Sequence, residues 1–210
     1  MKNYRLYLIR HGITQGNLEG RYVGAGTDEP LCEEGEKRLG ELRTLFRYPQ
    51  VKTVFASPLL RAVQTADVLF PDADNKLVLD ILRENHFGEF EGKTLADLSE
   101  NANFSKWLTA SEHYTPIGGE SAEAFHARCK DAFLKLFEYM MKAGIEQAAC
   151  VTHGGVIMSM MAQCAVPKRA PELWMADPGC GYSVLSSAEL WMRDQLGEAK
   201  DILPFGYLGD

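Results

Sequence analysis

Two histidines in this chain share one local context. Ile9-Arg10-His11-Gly12 and Val151-Thr152-His153-Gly154 each place a histidine after an apolar run that reads as a strand, and before a glycine. In open parallel sheets ligands bind beyond the carboxyl ends of the strands, so both histidines are expected on one edge of the sheet. Two further polar residues follow strands: Arg61, one turn into the helix opened by Ser57-Pro58, and Glu84, shortly after a strand at 76–79. Imidazole can act as nucleophile or base near neutral pH, a carboxyl group moves protons, and guanidinium is a permanent cation. With a net charge of −7 the chain suits a phosphate ester only where it concentrates cations locally, which makes the arginines worth following. Spacing alone leaves alternatives open. Arg61 also reads as a surface helix arginine, His153 as a turn histidine, and Glu89 and Glu91 compete with Glu84.

The elements that must position these residues alternate along the chain. Strands are expected at 4–9, 51–56, 76–79 and 148–152, with late strands at 182–187 and 190–195. Helical spacing of Leu39, Leu42, Leu45 and Phe46 predicts a helix over 33–47. A longer helix over 120–142 carries Phe125, Cys129, Phe133, Leu136 and Met140 on one face and ends at Gly144. Ser57 is expected to cap the helix that Pro58 opens, and Gly154-Gly155 to lead into another. Strands alternating with helices indicate an α/β fold with a mostly parallel sheet.

Composition removes several classes. The length of 210 residues suits one domain, and 46% hydrophobic with 24% charged residues is the balance of a soluble globular protein. An acidic chain lacks the basic face that nucleic acid requires. No apolar run is long enough to span a membrane, and the N-terminal segment is too short for a signal peptide, so a cytoplasmic location is expected. Cys32, Cys129, Cys150, Cys164 and Cys180 are irregularly spaced, with no CxxC pair, and read as free thiols. No His/Asp cluster suggests a metal site; His86, His113 and His126 are scattered.

The run Leu8-Ile9-Arg10-His11-Gly12-Ile13-Thr14-Gln15-Gly16-Asn17 resembles the signature of the histidine phosphatase, or phosphoglycerate mutase-like, superfamily. Four more blocks follow in the family's order. They are Phe55-Ala56-Ser57-Pro58-Leu59-Leu60-Arg61-Ala62-Val63-Gln64-Thr65-Ala66, Leu82-Arg83-Glu84-Asn85-His86-Phe87-Gly88-Glu89-Phe90-Glu91-Gly92, Gly118-Gly119-Glu120-Ser121 and Val151-Thr152-His153-Gly154-Gly155. The resemblance implies a three-layer α/β/α sandwich with a mostly parallel central sheet, phosphoglycerate mutase-like, as a single domain over 1–210. It also implies that His11 accepts the phosphoryl group, that Arg10, Arg61 and His153 meet its oxygens, and that Glu84 is the general acid. Asn17 and Gly154 join the phosphate-binding set. Neither metal nor cofactor is implied. The partners would be a small phosphorylated metabolite and product phosphate, with a homodimer expected by analogy alone.

Two departures narrow the activity. Ile13 replaces the acidic residue that often follows Arg-His-Gly. Asn85 stands where cofactor-dependent mutases carry an arginine, and between Lys93 and Gly119 the one basic residue besides histidine is Lys106. A phosphatase is therefore favoured over a mutase-type phosphoryl transfer, and over a catalytically silent phosphate-binding protein, because His11, Glu84 and His153 are all present. Among short members the blocks are similar to broad small-molecule phosphatases and to α-ribazole phosphatases, which stay unresolved. Substrate selection is expected from a lid within 93–117, with Trp107 and Tyr114, and from His86 near Glu84.

Overall fold

The computed structural model describes residues 2–110 and 113–208. The elements run β1 Asn3–Arg10, α1 Gln15–Leu18, α2 Glu33–Leu45, β2 Phe46–Arg47, β3 Thr53–Ala56, α3 Leu60–Leu69, β4 Asn75–Val78, α4 Leu95–Leu98, α5 Ala102–Thr109 and α6 Ala122–Ala143. They continue as β5 Gln147–Thr152, α7 Gly154–Cys164, β6 Ala165–Val166, β7 Gly181–Ser187, α8 Ala188–Asp194, β8 Gly197–Leu203 and β9 Phe205–Tyr207. Seven strands form one sheet in the order β4-β3-β5-β1-β7-β8-β6, and β2 pairs with β9 apart from it. The β4-β3-β5-β1 half is parallel throughout, while β7 runs antiparallel to both β1 and β8.

Strand alternation divides the core between two faces of the sheet. Leu6 and Leu8 of β1 pack with Phe133, Phe137 and Met140 of α6 and with Met160 of α7. Tyr7 and Ile9 point the other way, towards Leu39 of α2 and Ala62 and Ala66 of α3. These are the three layers expected from the sequence. The long helix α6 is fixed at both ends: the Ser121 hydroxyl accepts from the Ala124 amide at 3.1 Å, and Gly144 closes the helix at φ 70°. Truncating Phe133, fully buried between α6 and the sheet, would cost about 3–5 kcal/mol.

Two expectations are corrected. Residues 190–195 are not a strand: most of that span lies in α8, whose first turn is capped by Ser187 accepting from Leu190 N at 3.1 Å. The last strand of the sheet is β8. Nor does Ser57 cap α3. The cap position is Leu59, with no side-chain hydrogen bond, and the Ser57 hydroxyl is engaged elsewhere.

Register explains where the two histidine motifs meet. Arg10 of β1 pairs with Thr152 of β5, so His11 and His153 leave neighbouring strands side by side. Ala56 pairs with Val151 on the other flank of β5, which brings Ser57 next to them. Leu82 reaches the same edge after β4 and a 3-10 turn at Asp80–Leu82, where the Thr152 hydroxyl donates to its carbonyl at 2.8 Å.

Candidate active site

His11 is 4% exposed. Its Nδ1 lies 2.6 Å from the Gly12 carbonyl, which can only accept, so Nδ1 carries the proton and Nε2 keeps its lone pair. Burial, with the Arg61 charge next, pushes the imidazolium pKa down to about 3, so the ring is neutral at ordinary pH. At Gly12 a Cβ would sit 2.7 Å from Leu39 Cδ1, so a side chain there would force the buried Leu39 to shift. Its amide donates to the Thr65 hydroxyl at 2.9 Å, and that hydroxyl donates to the Arg61 carbonyl at 2.6 Å. One threonine thus ties the His11 turn to α3.

Arg61 is 0% exposed, contrary to the surface reading that spacing alone allowed. Its Nη1 and Nη2 donate to the carbonyls of Thr27 and Gly24 at 2.7 and 3.0 Å, while its Nε has no protein partner. Arg10 donates from Nη1 to the Ala176 carbonyl at 2.9 Å, and its Nε is likewise buried without a partner. The His153 ring centroid is 5.1 Å from that of His11. Its Nε2 lies 2.7 Å from the Ser57 hydroxyl, and its Nδ1 is the third buried nitrogen without a protein partner. Burial, with His11 and Arg61 next, holds His153 well below the ordinary histidine pKa. Burial also lowers both arginines, opposed by the Glu84 charge, yet guanidinium remains protonated. Such buried polar groups are costly unless something accepts from them, and an oxyanion is the natural acceptor.

Glu84 is 9% exposed and accepts from the Asn85 amide at 2.9 Å and the Gly155 amide at 3.0 Å. Burial raises its pKa above the usual carboxylate value, against the lowering effect of those two amides and of Arg61 and Arg10. Behind it, Arg128 forms a two-pronged ion pair with Glu120, at 2.9 and 2.6 Å. The same guanidinium donates to the carbonyls of Ile81, Arg83 and Glu84 at 3.0, 2.7 and 3.3 Å. The Gly-Gly-Glu block therefore serves the acid-bearing block.

The remaining sequence candidates take definite places. Gly154 opens α7 against Arg10, where a Cβ would lie 3.5 Å from the guanidinium Nε. Asn17 forms a capping box with Thr14, accepting from the Thr14 amide at 3.1 Å, so that its NH2 group is what remains to meet a ligand. His86 accepts from the Gly88 amide at 3.0 Å and lines a cleft of about 230 Å³ with Ala25, Arg83, Glu84, Glu120 and Arg128. Glu89 holds Asn103, Tyr114 and Ile117, and Glu91 is engaged by the loop before α2. Within the expected lid, Phe104 of α5 is buried against Phe90 and Leu98, with Tyr22, Phe87, Trp107 and Tyr114 packed around them. Ser111 and Glu112 of that lid lie outside the described residues.

Three contributors were not singled out as site residues. Ser57 orients His153, Thr65 links two motifs, and Gly155 admits Glu84, whose Oε1 would lie 2.5 Å from a Cβ at that position. The signal for Gly155 is the doubled glycine after His153. For Ser57 it is the strand-ending Ala56-Ser57-Pro58, and Thr65 lies in the same block as Arg61, one helical turn on.

The model of the histidine phosphatase superfamily (branch 1) matches residues 6–189. The chain belongs to that superfamily. The adenosylcobalamin/alpha-ribazole phosphatase of Escherichia coli strain K12 is 32% identical over 184 residues, covering 86% of this chain and 89% of that relative. The fructose-2,6-bisphosphatase TIGAR of Xenopus tropicalis is 35% identical over 154 residues, or 71% of this chain; the match spans 54% of that longer protein. Among solved structures, the alpha-ribazole phosphatase from Shigella flexneri superposes with a TM-score of 0.81 at 27% identity, over 96% of this chain and 98% of the other. In this member of the superfamily His11, Arg61, Glu84 and His153 gather at one sheet edge.

Proposed function

We propose that the protein is a metal-independent phosphomonoesterase that works through a phosphohistidine on His11. The observation that carries this reading is the neutral His11, with Nε2 free, beside three buried nitrogens without protein partners: Arg10 Nε, Arg61 Nε and His153 Nδ1. In the first step His11 Nε2 attacks phosphorus as the ester P–O bond breaks. The arginines and His153 donate to the phosphoryl oxygens, supplying the charge neutralisation that a metal supplies elsewhere. Glu84, whose pKa burial raises, gives its proton to the leaving alkoxide. In the second step the Glu84 carboxylate takes a proton from water, the resulting hydroxide attacks phosphorus, the N–P bond breaks, and His11 and inorganic phosphate are regenerated.

The substrate class follows from the leaving-group side. In the cleft beside Glu84, Arg83 pairs with Asp80 and Arg128 with Glu120. Among the described residues lining it, no lysine or arginine is left over to grip a carboxylate or a second phosphate, which speaks for an uncharged leaving group and against a mutase substrate. An α-ribazole 5′-phosphate-like ester, a nucleoside-type monophosphate, fits this, and the relatives of that name are matched over nearly their whole length. The 93–117 segment, anchored by Phe104 and Trp107, is assigned the selection of that leaving group. Among the described residues no helix is long and apolar enough to cross a membrane. Three of the five cysteines are buried free thiols, which suits a reducing cytoplasm.

The test is phosphate release by purified protein in the presence of chelator. The panel is an aryl phosphate, α-ribazole 5′-phosphate, fructose 2,6-bisphosphate, and 3-phosphoglycerate with its bisphosphate activator. Chelator-resistant release, fastest on α-ribazole 5′-phosphate, is expected. Preference for fructose 2,6-bisphosphate or 3-phosphoglycerate, whose leaving groups carry a second anionic group, would overturn the leaving-group argument, and isomerisation without release would establish a mutase.

A further inference from the structure

Arg61 of α3 is aimed by a loop over residues 24–27. The carbonyls of Gly24 and Thr27 hold its two terminal nitrogens, which leaves Nε for the phosphoryl group. The same loop starts the helix that carries Arg61, since the Asp28 carboxylate accepts from Leu60 N at 2.7 Å. What holds residues 24–27 is Glu91. Its Oε2 accepts from the Gly24 amide at 3.0 Å and the Thr27 hydroxyl at 2.6 Å. Its Oε1 accepts from the amides of Gly26 and Phe87, both at 3.0 Å. The loop is drawn close enough that Gly24 cannot carry a side chain: a Cβ would lie 2.4 Å from Glu91 Oε1 and 2.3 Å from the Asn85 carbonyl. That carbonyl also accepts from the Ala25 amide at 3.0 Å, directly after Glu84.

We propose that Glu91 is a positioning residue for phosphoryl transfer, a carboxylate staple that fixes the Arg61 guanidinium and locks it to the segment bearing Glu84. All four acceptor sites of the carboxylate are met by donors. An amide in its place would turn one NH2 group towards two of those donors, so glutamine cannot reproduce the staple despite its equal size. Loss of the staple releases the carbonyls that aim Arg61, and a shift of about 1 Å in a phosphate-binding group costs on the order of tenfold or more.

This inference rests on the proposed phosphatase reading, and the experiment separates the two. Turnover of an aryl phosphate, which does not depend on the general acid, and competitive inhibition by inorganic phosphate are measured for wild type, Glu91→Gln, Arg61→Met and the double variant. In Glu91→Gln the inhibition constant for phosphate is expected to rise about tenfold and kcat/KM to fall about tenfold or more. In the Arg61→Met background the same Glu91 substitution is expected to change the inhibition constant less than twofold, because the group it positions is gone. A purely structural role would lower thermal stability but leave the inhibition constant of the folded fraction unchanged. Should Glu91→Gln fail to fold, Thr27→Val removes one of the four bonds and is expected to raise the constant about threefold. An unchanged constant in the folded variants, or losses that multiply in the double variant, would overturn the inference while the phosphatase reading stands. A wild-type protein without turnover or phosphate binding would overturn both.

Discussion

Replacing His11 by asparagine should flatten the acid sensitivity of the fold. Asparagine keeps a donor for the Gly12 carbonyl but cannot titrate. In wild type the His11 proton binds near pH 6.5 in the unfolded chain and near pH 3 in the folded one. Between these values the unfolded state holds more protons, so the His11 contribution is intact above pH 6.5 and is lost as pH falls towards 3. At about pH 4 the unfolded chain is favoured by about 2.5 units at ~1.36 kcal/mol each, or ~3 kcal/mol. Urea unfolding in phosphate-free buffer at pH 7 and at pH 4 measures the loss for each protein. Any constant effect of the substitution cancels in the pH difference, and His11→Asn should lose ~3 kcal/mol less than wild type. Equal losses, within about 1 kcal/mol, would show that His11 is not held neutral in the folded protein, and the nucleophile argument would lose its basis.

His11→Ala should abolish turnover while the circular dichroism spectrum stays native; more than a few per cent residual activity would contradict its role as phosphoryl acceptor. Glu84→Gln should slow alkyl phosphates by about 10²–10⁴-fold and aryl phosphates far less, and equal losses would remove it as the acid. Because burial raises the Glu84 pKa, activity on alkyl esters should fall on the alkaline side as that group loses its proton, and Glu84→Gln should erase this limb of the pH profile. Arg128→Met leaves the partly buried Glu120 and three carbonyls without their donor, and should cost about 2–3 kcal/mol of stability in denaturant unfolding. Thr65→Val leaves the Gly12 amide unpaired and should cost about 1–3 kcal/mol, with kcat falling more than the thermal midpoint implies.

The edge that holds the candidate site was legible because strand ends are. Arg10-His11 and Thr152-His153 each follow a continuous apolar run, and parallel register places them side by side. Glu84 could be separated from Glu89 and Glu91 only by family pattern. Their distinct roles lie in long-range partners, Gly155 for one and the 24–27 loop for another, which no local window contains. Arg61 was misleading in isolation, since nothing in Leu60-Arg61-Ala62 says that backbone carbonyls over thirty residues earlier will satisfy it. The late strand was misplaced because Leu190-Trp191-Met192 is the most apolar stretch there, yet Ser187 caps it into a helix. The true strand, Gly197–Leu203, carries Glu198, Lys200 and Asp201 and is buried only at its ends, so alternation is masked.

Strand β1 is the centre of the sheet, and both of its neighbours, β5 and β7, come from the second half of the chain. During synthesis Leu6, Leu8 and Ile9 leave the ribosome early and wait for residues 147–152 before any parallel partner exists. At about 5–20 residues per second that wait lasts roughly 7–30 s. Closing so long a loop also makes the pairing slow once the partner arrives. Over that interval the nascent chain displays an unpaired apolar strand, and the His11 motif it carries is inert. Slower translation, which lengthens the wait, or a short supply of chaperones, which leaves the strand uncovered, therefore presses on the yield of folded protein through β1 and not through the chemistry of the finished site.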